Sequence, residues 1–554
     1  MFKKAVIAAI GSLPILFYFW YLQRFSTSLP NEDDIPAILA FINRAFPFSV
    51  ESVRLLFIPF REHVILPAKI IAYLQVLTTG HMHLPMMILL GNLFWVRVAW
   101  LLYAVSKTAK LPALYFLPVP FLLFQVQFSE TALWPMALWS NLIVVWLAVE
   151  SFRLLITSKK EWRQFGGAFL LALAATFSNG NGLLVFLIGF GILLYRKADR
   201  GRVVLWLTGS VISIALYGWA KSSGVPDSYY GVQTHPLKWV LGSMIFVGNY
   251  GDFVSGSLKT AALALGFVLT TAVLAIHFLQ FKKSTYAASP YFLWFSSFLF
   301  ILLTGAAVAL LRTEPVGLDA MYLGRYRHYS ALAVALVYLT VVSYLYPKRA
   351  ADWLFYGTLG LSVLVGALSY YKDWGYRYMD NQRFFTDAYN MQYNNTLYVE
   401  KQEQMAFPAI FRETLRKNLL ASDLLPLLQK RSSWLSPPQD APLITADVQI
   451  DSLTDSTRCL RVYRVETDRP AFVLKSEEMW VWLLKSEHYV YVYPSTSLKT
   501  KPGQFFRDFT YFKPGFAGEL ATCRLPKEEY QLFLVNLSGT GELHFFRTDQ
   551  MIRN

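Results

Sequence analysis

Residues 292–311 read FLWFSSFLFILLTGAAVALL, twenty residues without one charged side chain. An α-helix needs about 20 apolar residues to cross the hydrocarbon core of a bilayer, and in lipid it satisfies its own backbone hydrogen bonds. Residues 183–195 and 203–220 repeat this pattern. The sequence therefore predicts an α-helical membrane protein with several spans.

The composition of the whole chain agrees with this prediction. Of the 554 residues, 55% are hydrophobic and 16% are charged, which leaves too few charged side chains to cover a soluble protein of this size. The net charge of +15 does not indicate nucleic-acid binding, because the basic residues lie in short loops between apolar runs. Residues 1–22 resemble a signal peptide, but no small-residue cleavage site precedes Arg24, so we predict a retained first helix.

Apolar runs predict eleven spans in residues 1–371. The fifth and sixth spans are short, and we expect them to form a hairpin whose tip is Ser178–Gly182. Together the spans make a helical membrane domain with outer loops at 23–82, 223–257 and 312–328. The predicted spans are 4–22, 83–106, 111–128, 132–152, 164–178, 181–195, 203–222, 258–281, 289–311, 329–346 and 351–371.

The basic residues predict the orientation of the spans, because lysine and arginine favour cytoplasmic loops. With a cytoplasmic N-terminus, all six inner segments are basic, and the odd number of spans places residues 372–554 outside the cytoplasm. We expect a multi-pass protein of the inner (cytoplasmic) membrane. The basic residues of the inner segments are Lys3, Lys4, Lys107, Lys110, Arg153, Lys159, Lys160, Arg163, Arg196, Lys197, Arg200, Arg202, Lys282, Lys283, Lys348 and Arg349.

Residues 372–554 have the pattern of a folded extracytoplasmic α+β domain. Residues 372–436 predict a helical connector, and Ser436-Pro437-Pro438 ends it. Alternating apolar residues separated by turn signals then predict an antiparallel, sandwich-like β-module in residues 437–554. The predicted strands are 443–450, 459–465, 471–474, 480–484, 489–493, 530–537 and 542–546.

The two cysteines, Cys459 and Cys523, both fall in this β-rich module. A disulfide in an oxidising compartment is one interpretation. Two buried free thiols are the other, and the sequence does not decide between them. No Cys/His spacing typical of a structural zinc site is present.

Three adjacent acids follow the first span, in Asn31-Glu32-Asp33-Asp34. Neighbouring carboxylates repel one another near a bilayer unless they have a role or a cation. Asp33 or Asp34 could accept a proton from a hydroxyl, and the pair could bind a divalent metal such as Mg²⁺ or Mn²⁺. The alternative is a solvated loop in which Asp34 caps a helix that begins at Ile35-Pro36.

Two further polar groups lie in the predicted outer loops. Glu62 beside His63 fits an acid/base or metal pair, or else a surface ion-pair cluster. Residues 324–329, GRYRHY, bring Arg325, Arg327 and His328 to the start of a span. Clustered arginines suit a phosphate, and the alternative is anchoring of the helix at the membrane surface.

Ionisable residues within or between spans are rare and therefore informative. Glu130 lies in a very short outer turn between two apolar runs, where a carboxylate indicates a function. Arg97, Glu150 and His277 lie inside predicted spans as isolated residues. We place Glu150 near the inner end of its helix and interpret Arg97 and His277 as packing or snorkelling residues.

These elements, in this order, resemble the GT-C-type glycosyltransferases of bacteria, in particular those similar to O-antigen-modifying glucosyltransferases. The resemblance covers about residues 1–430 and departs at Arg61, where the family favours Asn. Its motifs are the acids at 31–34, EHVILP at 62–67, QFSE at 127–130, SNGNGL at 178–183 and GRY at 324–326.

The resemblance implies transfer of a sugar from a polyprenyl-phosphate carrier to an acceptor glycan, lipid or protein outside the cytoplasm. It implies that Asp33 or Asp34 is the base and that arginines stabilise the departing phosphate. The residues expected to contact substrate are Glu62, His63, Glu130, Asn179, Arg325, Arg327 and His328. A transporter or flippase, and a non-catalytic envelope assembly component, are the alternative functions.

Overall fold

The structure is a computed structural model of the chain. It describes residues 2–553 except 62, 158–160, 223–234, 253–258, 282, 284–285, 287–288, 399–403, 430–432, 435, 439, 452–461, 468–477, 509, 523–524 and 539–541. It has two compact units. The first comprises Met1–Ser26, Ala45–Leu74 and Pro85–Asp373, and the second comprises Thr27–Arg44, Gln75–Leu84 and Trp374–Asn554. The segment 23–82, expected as one outer loop, is thus divided between them.

Long apolar helices dominate the first unit, as the sequence predicts. Within the described residues, eight helices are long and apolar enough to cross a membrane, which is typical of an integral membrane protein. They are Phe2–Phe25, Leu84–Thr108, Pro135–Thr157, Arg200–Ser222, Lys259–Phe281, Pro290–Arg312, Gly324–Leu345 and Arg349–Tyr393.

The three other predicted spans correspond to shorter helices. Residues 111–128 contain an apolar helix, Ala113–Leu123, and the fifth and sixth spans are Trp162–Ser178 and Leu183–Tyr195. The last two form the predicted hairpin. Eight of the eleven expected spans therefore have the length to cross a membrane, and a crossing by the other three stays a prediction.

The helix Pro236–Gly248 lies in the second predicted outer loop and packs closely against Lys259–Phe281. A Cβ on Gly266 would lie 1.9 Å from the Met244 carbonyl oxygen, so only glycine permits this approach. Residues 249–252 continue as a 3₁₀ turn. This packing brings the turn to the start of the helix Arg327–Leu345, where Asp252 pairs with Arg327.

The β-rich part of the second unit is a sandwich of two sheets. One sheet has the order β1-β9-β8-β4-β5 and the other β2-β3-β7-β6. All pairs are antiparallel except β1 with β9. The strands are β1 Leu443–Ile444, β2 Asp447–Asp451, β3 Val462–Thr467, β4 Met479–Lys485, β5 Val490–Pro494, β6 Thr496–Lys499, β7 Phe512–Ala521, β8 Glu529–Leu537 and β9 Leu543–Arg553.

Side chains of both sheets share one core, which includes Trp482 and Phe516. A Cβ on Gly518 would lie 2.4 Å from the Trp482 ring, so glycine in β7 makes room for this tryptophan. The sequence did not predict β6 and β7. The predicted strand 471–474 and both cysteines lie outside the described residues.

Shorter helices complete the two units. Segments of the expected outer loop join the second unit: Asn43 Nδ2 donates to the Ile410 carbonyl at 3.0 Å, and Met82 N–H to the Leu419 carbonyl at 2.8 Å. The remaining helices are Ile35–Leu39 (a π-helix), Ala40–Ala45, Val50–Phe57, Leu66–Thr79, Pro118–Leu123, Phe407–Arg416, Leu425–Gln429 and Pro502–Asp508.

Candidate functional site

The turn Gly324–Tyr326, at the N-terminal end of a long apolar helix, is held by a neighbouring turn of the first unit. Glu130 Oε2 accepts a hydrogen bond from the Arg325 backbone N–H at 3.0 Å, and Thr131 Oγ1 donates to the Arg325 carbonyl at 3.1 Å. A Cβ on Gly324 would lie 2.9 Å from the Glu130 carboxyl carbon. Glu130, expected to contact substrate, is therefore engaged in fixing the backbone that carries Arg325.

The Arg325 side chain is half-buried and lies beside the Tyr326 ring, with Cζ 5.5 Å from the ring centre. Its Nε is buried and has no hydrogen-bond partner among the described residues. Glu130 contacts the backbone of this residue and not the guanidinium. Since no carboxylate of the described part neutralises it, the guanidinium keeps its charge for an anion such as phosphate. The helix N-terminus adds a favourable potential.

Arg327 has different surroundings. Its NH2 lies 2.9 Å from Asp252 Oδ2, and the two side chains are 15% and 5% exposed. Its Nε also donates to Asn249 Oδ1 at 3.4 Å. A buried ion pair of this kind commits the guanidinium to fastening the turn at 249–252. We therefore do not retain Arg327 as a phosphate ligand.

His328 is fully buried. Its Nε2 donates to the Asn141 carbonyl at 3.1 Å, and its ring lies near the rings of Trp95 and Phe128. Asn141 belongs to a π-helical segment, Leu138–Leu142, where the wider turn alters the usual pairing of backbone carbonyls. These contacts give His328 a packing role, so it too leaves the set of substrate-contacting candidates.

The hairpin tip Ser178–Gly182 carries two asparagines that bond to neighbouring helices. Asn179 Nδ2 donates to Asn141 Oδ1, and Asn181 Nδ2 donates to the Tyr329 hydroxyl at 2.9 Å. Asn181 Oδ1 is buried and without a hydrogen-bond partner in the described part of the chain. The tip is therefore a fixed polar element. At the opposite ends of the two flanking helices, Arg163 lies near the start of the first, and Arg196 follows the second.

His63 contacts the same hairpin tip. Its Nδ1 accepts a hydrogen bond from the Gly180 backbone N–H at 3.2 Å. Because an accepting Nδ1 carries no proton, the neutral ring has its proton on Nε2. A hydrogen bond donated by the neutral His63 ring therefore comes from Nε2. Glu62, its expected partner, lies outside the described residues.

A buried lysine fixes the chain that leads to His63. Lys69 is 4% exposed, and its Nζ donates to the Leu55 carbonyl at 3.1 Å and to the Ile58 carbonyl. The chain then folds back, with paired backbone hydrogen bonds between Phe60 and His63. Burial lowers the pKa of Lys69 to about 7. The lysine therefore positions the turn that carries His63.

Within the second unit, the acidic segment divides into buried and accessible carboxylates. Asp34 is fully buried, and its Oδ2 accepts a hydrogen bond from the Asn31 backbone N–H at 3.1 Å. A helix begins after it at Ile35, as predicted, but the Asp34 side chain makes no capping bond to that helix. Asp33 is half-buried. Glu32 is also half-buried and accepts from Gln404 Nε2 at 2.9 Å.

Arg383, on the long helix Arg349–Tyr393, lies near several carboxylates. The apolar stretch of this helix ends before Lys372, so residues after it lie outside the membrane-spanning part. Arg383 NH1 lies 3.9 Å from Asp380, and the charges of Asp387 and Glu32 also act on it. Burial raises the pKa of Asp387 to about 7, against the opposing effects of the Tyr398 N–H and Arg383. A carboxyl group of this kind can exchange a proton near neutral pH.

Reasoning from the sequence missed four residues of the polar regions. Arg383 and Asp387 lie on a helix that reads as a simple connector, and Lys69 lies within a run of apolar residues. Asp373 accepts hydrogen bonds from the Tyr21 hydroxyl and the Ser129 hydroxyl, both at 2.8 Å. The i, i+3, i+4 spacing of charges in 377–387 was the available signal for the first two.

Metal binding by Asp33 and Asp34 stays a prediction. Within the described residues, no three His, Cys, Asp or Glu side chains are arranged to hold a metal ion. Comparisons with protein-family models, with curated proteins and with solved structures gave no match. The functional interpretation therefore rests on the residues described above.

Proposed function

We propose that this chain is a membrane glycosyltransferase of GT-C type. It transfers a sugar from a polyprenyl-phosphate-linked donor to a cell-envelope glycan, lipid or protein on the outer side of the cytoplasmic membrane. The observation that supports this most directly is the Arg325 turn. There Glu130 and Thr131 hold the Arg325 backbone at the N-terminal end of an apolar helix, and the guanidinium has no carboxylate partner in the described part of the chain. This is where the phosphate of a lipid would lie.

The proposed reaction breaks the bond between the anomeric carbon and the phosphate oxygen and forms one between that carbon and the acceptor oxygen. The leaving phosphate gains negative charge, which Arg325 stabilises with charge-assisted hydrogen bonds. The acceptor hydroxyl loses its proton to a carboxylate. We assign this role to Asp33 and not to Asp34, because Asp33 is half-buried whereas Asp34 is fully buried.

Two residues of the hairpin region have supporting roles in the proposal. We assign His63 to substrate contact beside the hairpin tip, where its Nδ1 accepts from the Gly180 N–H. Asn179 orients the tip through Asn141. The proposed orientation has the N-terminus in the cytoplasm and residues 372–554 outside it, in agreement with the basic residues at the other ends of these helices.

The test uses polyprenyl phosphate, the product that every polyprenyl-phosphate-linked sugar donor releases. Binding of polyprenyl phosphate and of the matching polyprenol is measured on the purified full-length protein, its Arg325→Gln variant and, as a control at another helix end, Arg312→Gln. We expect the wild type and the Arg312→Gln control to bind polyprenyl phosphate more tightly than polyprenol. Arg325→Gln should weaken phosphate binding about 10- to 100-fold, since a hydrogen bond to a charged group contributes about 1.5–3 kcal/mol. Equal binding of the two lipids by the wild type would refute the proposal.

A further inference from the structure

The long helix Arg349–Tyr393 has 45 residues, which correspond to about 65–70 Å. The hydrocarbon core is about 30 Å thick, so one half of the helix suffices to cross it. The apolar stretch ends at Tyr371 and is followed by Lys372 and Asp373. Residues from Trp374 onward therefore begin at the membrane surface and extend away from it.

The far end of this helix is clamped to an edge strand of the sandwich. Asn390 Nδ2 donates to the Val492 carbonyl at 2.6 Å, and Asn390 Oδ1 accepts from the Val492 N–H at 3.2 Å. Asn394, one turn later, donates to the Val490 carbonyl at 2.7 Å. Two asparagine side chains thus take the place of a neighbouring strand along β5.

The near end of the helix contacts a different part of the sandwich. The Gly375 N–H donates to the Tyr511 hydroxyl at 3.1 Å. A Cβ on Gly375 would lie 2.6 Å from Lys499 Cε, so glycine permits this approach. Between residues 375 and 394 the helix rises about 28 Å. The sandwich therefore has a near end, at Lys499 and Tyr511, and a far end, at the turn before β5.

The near end has a distinctive composition. Residues 499–513, which we call the basic-aromatic segment, read KTKPGQFFRDFTYFK and contain four basic residues and one acid. The side chains of Lys499, Lys501, Arg507 and Lys513 are exposed. Phe505 is half-buried, with its ring 6.2 Å from that of Tyr511. The turn at the far end carries Glu487 instead.

We propose that the basic-aromatic segment contacts the membrane surface and binds the headgroups of anionic phospholipids. It touches Gly375, four residues after the uncharged apolar stretch of this helix ends at Tyr371. Lysine and arginine near an anionic surface each contribute about 1 kcal/mol, and aromatic side chains favour the headgroup region. The proposal is independent of the glycosyltransferase function, because it requires only the long helix and the sandwich.

The experiment places a nitroxide at each end of the sandwich in the full-length protein, reconstituted in liposomes. Gln504→Cys labels the basic-aromatic segment and Glu487→Cys is the matched control, both in a Cys459→Ser, Cys523→Ser background. Electron paramagnetic resonance then compares collision with oxygen, which concentrates in lipid, and with a water-soluble nickel chelate. With phosphatidylglycerol present, we expect a higher ratio of oxygen to nickel collision at 504 than at 487. Equal ratios at the two positions would overturn the proposal.

A second measurement needs no cysteine substitution. Hydrogen exchange of the unmodified chain is followed in nanodiscs of phosphatidylcholine with and without phosphatidylglycerol. We expect at least a twofold slowing in peptides that cover 499–513 when the anionic lipid is present. Lys501→Gln with Arg507→Gln and Lys513→Gln should remove this slowing without changing exchange in β8. Slowing that is absent in the wild type, or unchanged in the triple variant, contradicts lipid-headgroup binding.

Discussion

The two polar regions of this protein use arginine in opposite ways. In the first unit, Arg325 has its backbone held by Glu130, while its guanidinium has no carboxylate partner among the described residues. In the second unit, Arg383 lies among Asp380, Asp387 and Glu32. The first arrangement preserves a positive charge for an anion. In the second, nearby carboxylates balance the charge of Arg383, and the arginine in turn affects the protonation of Asp387.

This difference separates two tasks of the proposed reaction. A leaving phosphate needs a cation that is not already paired. A hydroxyl nucleophile needs a carboxylate that can accept a proton. We expect the two regions to differ in function as they differ in charge.

The largest expected effect concerns the acidic segment. Asp33→Asn should lower sugar transfer by about 10²- to 10⁴-fold, the usual contribution of a general base. It should affect thermal stability less than a substitution of Asp34, because Asp33 is half-buried and Asp34 is fully buried. Asp34→Asn should instead lower the melting temperature, because Asp34 is buried and bonded to Asn31. Release of polyprenyl phosphate, the envelope glycan composition of cells and thermal unfolding measure these effects. An unchanged glycan composition with Asp33→Asn at normal expression would end the catalytic assignment.

The second prediction contrasts two arginines that are two residues apart. Arg327→Gln should destabilise the protein by about 3–5 kcal/mol, since it removes the guanidinium that is paired with the buried Asp252 carboxylate. Arg325→Gln should change stability by less than about 0.5 kcal/mol, as expected for a residue outside such a pair. Chemical unfolding of the detergent-solubilised variants measures both. If the two variants were equally stable, the distinction between an anchoring and a ligand-binding arginine would be wrong.

Features set by local sequence were predictable. Long uncharged runs predicted the long helices, and the residues Ser178–Gly182 predicted the tip of the hairpin. Strands that are short apolar runs between polar residues, such as β4 and β8, were also predicted. In contrast, β7 was missed because Pro514, Gly515 and Gly518 interrupt its alternation, and those residues serve a bend and the approach of Trp482.

Pairing between distant residues was not predictable, because one sequence does not show which helices pack together. Arg97 and Glu150 were expected to be isolated, but Arg97 NH2 lies 3.1 Å from Glu150 Oε1, and Arg153 completes the cluster. The expectation of isolation was therefore wrong. His277, likewise expected alone, lies 2.9 Å from the Tyr286 hydroxyl. In the same way, the roles of Arg325 and Arg327 differ only through Glu130 and Asp252, far away in sequence.

The smallest expected effect concerns Asp387 and sharpens the account of the second region. Its pKa is raised by burial from 3.8 to about 7, so the folded state holds a proton that the unfolded state releases near pH 4. Stability should therefore fall as pH rises from about 4 to about 7. Asp387→Asn should remove this component, so that the melting temperature of the variant relative to the wild type rises by a few degrees across that window. Glu32→Gln removes a like charge and should shift the window to lower pH. If the difference in melting temperature between wild type and Asp387→Asn stayed constant from pH 4.5 to 7.5, the Asp387 carboxyl would have an ordinary pKa. The second region would then not control protonation.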